Sequence, residues 1–101
     1  MSKPRSITEI RSEEIIDVDG RHRILVDRER GKDCIKPFVV FIPQRKGLLF
    51  WDNYHCIDFC QDFKYDYERD ADYDEYDNVL RELIDYLPEL DKIMIEYGGV
   101  L

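Results

Sequence analysis

A chain of 101 residues, 44% of them hydrophobic, can bury one core without disulfides or metal. Its net charge of −8 is unevenly placed and argues against direct binding to nucleic acid or an anionic membrane through the C-terminal half. No apolar run is long enough to span a bilayer, and the three cysteines, Cys34, Cys56 and Cys60, cannot all pair. With no apolar leader, the expected compartment is a reducing cytoplasm, bacterial or of an infected host.

Residues 1–6 read as a frayed terminus of a single domain spanning 1–101. Glu13–Asp19 and Arg21–Arg28 are β-rich runs flanking Asp19-Gly20, a strong hairpin signal because both central positions of a type I′ turn need positive φ. Ile16 and Val18 meet Ile24 and Val26 in one register only, which the sequence leaves open. Glu29–Asp33 reads as a charged turn. Pro37–Pro43 is a wholly apolar run bounded by prolines, which predicts a central strand buried on both faces. Gln44–Gly47 turns the chain into a predicted strand over Leu48–Trp51, and Asp52-Asn53 turns it again.

Ile57–Asp74 separates by parity. Odd positions bring Ile57, Phe59, Phe63, Tyr65 and Tyr67; even positions bring Asp58, Asp62, Asp66, Glu68, Asp70, Asp72 and Asp74. Such alternation predicts a half-buried strand at least as far as Tyr67. After Asp72 the spacing changes: Tyr76, Val79, Leu80, Leu83 and Leu87 recur at three and four, an amphipathic helix capped by Asp72 with Glu75 three residues on. Pro88 is expected to end it or open another turn, and Lys92–Tyr97 reads as a short final strand. The predicted fold is α+β: an antiparallel meander of about five strands with one C-terminal amphipathic helix packed on one face.

No glycine-rich phosphate loop, nucleophile elbow or H-E-x-x-H occurs, so no enzyme and no cofactor are expected. Asp70-x-Asp72-x-Asp74 has the opening spacing of a calcium loop, but Glu75 stands where glycine is needed and Arg81 where a glutamate belongs. His55, Cys56, Cys60, Cys34 and His22 are zinc-ligand types without a C-x-x-C knuckle. On a strand Cys56 and Cys60 would lie some 13 Å apart, too far for one ion. The cysteines read as small core hydrophobes, and no metal is expected.

What remains is a surface. The charge is uneven, with 11 basic and 8 acidic residues in 1–51 against 4 basic and 15 acidic in 52–101. On an extended chain Asp66, Glu68, Asp70, Asp72 and Asp74 repeat at roughly 6.5–7 Å, close to the phosphate repeat of a nucleic acid strand. The helix adds Glu75, Glu82 and Asp85, and Tyr73 and Tyr86 are the aromatics best placed for contact. These ten residues are the expected partner-binding set. They predict a small, acidic, non-enzymatic binder that blocks a basic, nucleic-acid-binding or nuclease partner by mimicking nucleic-acid charge. A phage inhibitor of restriction or CRISPR machinery, a nuclease immunity protein and an antitoxin all fit. The bland reading is a solvated acidic face. The alternative function is a structural or adaptor subunit whose interface is apolar, at Leu48–Trp51. The sequence leaves the oligomeric state open.

Overall fold

The computed structural model describes residues 12–58 and 63–98, with side chains for 14–54 and 66–96. Seven strands, β1 (Ser12–Asp17), β2 (His22–Gly31), β3 (Phe38–Lys46), β4 (Trp51–Asn53), β5 (His55–Asp58), β6 (Phe63–Asp66) and β7 (Arg69–Asp72), precede one helix, α1 (Tyr76–Ile93). The proline-bounded apolar run is β3, the centre of a five-stranded antiparallel sheet. Val39 and Phe41 face α1 in the main core with Ile24, Val26, Leu83, Leu87 and Leu90. Val40 and Ile42 face the other way and are buried beside Leu25 and Phe38. A strand apolar on both sides therefore belongs in the middle, with core on each face. The architecture is α+β, a five-stranded antiparallel sheet with a single C-terminal helix on one side.

One edge of β3 carries β2, and β1 lies beyond it. The other edge is shared end to end. There β7 pairs with Phe38–Phe41 and β4 with Gln44–Lys46, leaving Ile42 and Pro43 paired with neither. Proline has no N–H to give a ladder, so it sits at the break at little cost. At this break the chain leaves the sheet, forms the separate antiparallel pair β5–β6, and returns. A bond from Tyr67 N–H to Tyr54 O (2.8 Å) closes the neck of the excursion.

Asp19-Gly20 does make the first hairpin. The register sets Ile16 against Ile24, so both join the helix-side core with Val18 and Val26. The connection is three residues, not the two of a type I′ turn, closed by Val18 N–H to His22 O (3.0 Å). Gly20 takes the positive φ of 82° that glycine adopts without penalty. At its far end β2 bulges, because Asp27 pairs with Val40 but Gly31 pairs with Phe38. Residues 28–30 thus stand against Val39 alone. Gly31 is needed there: a Cβ would lie 2.5 Å from the Phe38 carbonyl oxygen and ring.

Several expectations change. Ile57–Asp74 is three strands, not one, and β5–β6 pairs Ile57 with Lys64 and Cys56 with Tyr65. Parity therefore does not describe a single face across that stretch; Phe59, Cys60 and Asp62 lie outside the described residues, as does the terminus 1–6. The charged turn expected at Glu29–Asp33 starts later, since β2 continues to Gly31. Leu48–Phe50 is a turn closed by Gly47 N–H to Phe50 O (2.7 Å), and only Trp51 belongs to a strand. Cys34 is an exposed free thiol, not core.

Pro88 lies inside α1, and Met94–Gly98 continues as a wider π turn where a strand was expected. An interior proline costs about 3 kcal/mol. Here it is exposed, while Leu87, Leu90 and Met94 carry the buried stripe past it, and that burial offsets the loss. The predicted capping box does not form either. Asp72 is extended (φ −63°, ψ 154°) before a 3-10 turn, Tyr73–Glu75, with no side-chain cap bond. Its carboxylate reaches Lys36 Nζ instead, at 3.1 Å.

Candidate binding surfaces

Alternation holds in β7. Ala71 is buried in the helix-side core and Arg69 turns the same way, 3.5 Å from Glu82. Asp70 and Asp72 therefore project from the opposite face, beside Val40 and Phe38. Most of the acidic row is engaged locally. Asp66 accepts from Asn53 Nδ2 (3.0 Å). Glu68 holds Arg30 through two bonds, Nη1 to Oε1 (2.7 Å) and Nη2 to Oε2 (3.1 Å). Asp72 and Asp74 share Lys36 at 3.1 and 4.0 Å. Glu68 raises the Arg30 pKa and Asp72 raises that of Lys36, because an adjacent carboxylate favours the charged form. Asp70 has no ion-pair partner among the described residues.

Beneath this row lies a residue the sequence did not single out. Asp27 is fully buried. Its Oδ1 accepts the Glu29 N–H (3.0 Å) and so shapes the β2 bulge. Arg30 Nε lies 3.1 Å from Oδ2 but does not aim its hydrogen at it, so that contact is ionic. The bulge is what delivers Arg30 to Glu68.

On α1, Leu83, Leu87 and Leu90 turn inward and leave Asp77, Asn78, Glu82, Asp85, Tyr86 and Glu89 exposed, and Glu75 is exposed in the 3-10 turn before it. Tyr73 and Tyr86 are both exposed large apolar groups, and the Tyr86 ring lies 6.3 Å from that of Tyr67. Glu75, Asp77 and Asp85 have no ion-pair partner among the described residues. The sheet stands between Asp70 and Asp72 on one side and the helix surface on the other. The ten predicted residues thus form two acidic surfaces, with Tyr73, Asp74 and Glu75 at the edge between them.

The opposite end of the sheet carries a cluster the sequence reading missed. Lys46 N–H donates to Arg21 O (2.8 Å) and sets the first hairpin turn beside the end of β3. His22 Nδ1 lies 2.9 and 3.0 Å from the Asp19 oxygens, and Nε2 lies 2.9 Å from Asp91 Oδ2. Buried Tyr54 donates to Asp91 Oδ1 (2.6 Å), and Arg45 Nη1 lies 3.7 Å from the same oxygen. Burial disfavours imidazolium, but the bonds to Asp19 and Asp91 outweigh it and the His22 pKa is raised. His22 in turn lowers that of Asp19. Burial, then Asp91, pushes the Tyr54 phenol up, so it remains a donor.

With both ring nitrogens engaged, His22 is a clamp between turn and helix, not a poised base. Beside it opens a cavity of about 170 Å³ lined by Arg21, His22, Arg45, Lys46, Asp91 and Ile95. Next to the cavity the Gly47–Phe50 turn presents Leu48 (99% exposed), Leu49 (81%) and Phe50 (73%). Trp51 at its base lies under Arg23, 4.4 Å from the guanidinium. The Asp19-Gly20 signal located the turn; nothing local pointed to Asp91, 69 residues from His22.

No protein-family model, curated protein or solved structure matches the chain.

Proposed function

We propose that the protein is a small, acidic, non-enzymatic binder that blocks a basic, nucleic-acid-binding or nuclease partner through the outer face of α1. The supporting observation is that Asp85 stands exposed with no ion-pair partner among the described residues, in line with Glu82 and Glu89 around exposed Tyr86. Asp85 and Glu89 are four apart, an arrangement that costs a helix stability. A partner's Arg and Lys side chains would relieve that repulsion, and Tyr86 would supply rigid contact area. The carboxylates beside β7 contribute less, because Arg30 and Lys36 already compensate them. Charge mimicry of this kind suits a phage inhibitor, an immunity protein or an antitoxin.

The test compares two double variants against a purified partner. Glu82→Gln with Asp85→Asn should slow association and flatten its salt dependence, since rim charges act mainly on the on-rate. Glu68→Gln with Asp72→Asn should change association less. Equal binding by the first variant and the parent would sink the proposal.

One observation favours a second reading, an adaptor or structural subunit with an apolar interface. Leu48, Leu49 and Phe50 are held outward by a closed turn where polar turn residues usually sit. Binding through this tip would be insensitive to salt and lost in Leu49→Ser, with the helix variants unaffected.

A further inference from the structure

In a chain with 23 carboxylates against 15 Lys and Arg, a cation is expected to find a carboxylate. Away from the cavity most do: Arg28 with Glu14 (3.0 Å), Arg30 with Glu68, Lys32 with Glu29 (2.9 Å), Lys36 with Asp72, and Lys92 with Glu89 (3.9 Å). At the cavity this fails. Arg21 and Lys46 have no ion-pair partner among the described residues. Arg45 has only the loose 3.7 Å approach to Asp91, whose oxygens are already held by Tyr54 and His22.

The backbone brings these cations together. His22 pairs directly with Arg45 across the β2–β3 ladder, and the Arg21 carbonyl takes the Lys46 N–H. On its other side Arg45 stands opposite Asp52 in the β3–β4 ladder. Among the described residues Asp91 is the single carboxylate lining the space. His22, flanked by Asp19 and Asp91, adds a further positive charge when protonated.

From this we propose that the cavity between the first hairpin turn, the end of β3 and the C-terminal part of α1 binds a phosphate group, with Arg21, Arg45 and Lys46 as its cations. Its volume of about 170 Å³ is well above the ~10–15 Å³ that a single water needs on this measure, ample for a group of five heavy atoms. Three cations suit a dianion better than a monoanionic carboxylate, and the arginine forks match phosphate geometry. Tyr54 and His22 each hold one oxygen of Asp91. The phosphate could belong to a small soluble compound or to a lipid headgroup. The second source would use the neighbouring Leu48–Phe50 tip and exposed Ile95.

The experiment titrates the full chain with inorganic phosphate at constant ionic strength, chloride being exchanged for phosphate, and follows the His22 ring resonances and thermal unfolding. Saturable shifts and a rising Tm are expected. Lys46→Gln or Arg45→Gln should weaken binding about tenfold, while Arg81→Gln on the helix should bind like the parent. Non-saturating shifts, or equal loss in all three variants, would overturn the proposal. Where phosphate binds, vesicles of phosphatidylcholine and phosphatidylglycerol assign the source. Retention that depends on both Lys46 and Leu49 supports the headgroup, and phosphate binding without retention supports a soluble phosphate compound.

Discussion

At the Gly31–Phe38 end of the sheet Arg30 is gripped by Glu68 and touches buried Asp27, and Lys36 bridges Asp72 and Asp74. At the Arg21–Lys46 end the cations line a cavity instead, and the lining carboxylate Asp91 is held by a tyrosine and a histidine. Both ends belong to one strongly acidic chain. Composition therefore does not decide which charges are satisfied; the bulge in β2 and the tight turns at the other end do.

Releasing the helix that stands behind both ends should have the largest effect. Leu83 is fully buried against the sheet, so Leu83→Ala should cost about 3–5 kcal/mol in denaturant unfolding. It should also loosen Asp91 from His22. A cost near zero would mean that the helix does not anchor the fold.

Next comes the paired end. Asp27→Ala removes a buried carboxylate, the Glu29 N–H acceptor and one partner of Arg30, and should destabilise by about 3 kcal/mol. Crystallography of the variant should show the bulge relaxed and the Arg30–Glu68 bonds lost. If those bonds persist, Asp27 does not shape the bulge.

The smallest effect belongs to the other end. The folded-state pKa of His22 lies above its ordinary 6.5. Its contribution is therefore complete below that pH and drains away as the pH rises through the folded value. Asp19 runs the other way. Its folded pKa lies below 3.8, so its share is present above that value and lost as the pH falls through the folded one. His22→Asn should cost about 1 kcal/mol near pH 6 and flatten the stability profile between pH 6.5 and the folded value. An unchanged profile would show that the clamp carries no stability.

Local pattern alone determined much of this protein. The proline-bounded run Pro37–Pro43 made the central strand, Asp19-Gly20 made the first hairpin, and the stripe from Tyr76 to Leu87 made the helix. Each is a statement about neighbours in the chain, and the α+β class follows from their order. Parity in β7 was legible for the same reason, since Ala71 and Asp72 differ by one residue and must face opposite ways. The tertiary structure decided the rest. Alternation names two faces but not the partner strand, so only the register shows that the chain doubles back between β5 and β6. Pro88 stays helical because Leu87, Leu90 and Met94 find a core to bury against. The two charge clusters join residues 38 and 69 positions apart. Which carboxylate reaches which cation depends on where bulges and turns place the backbone, and at that separation no sequence period carries the information.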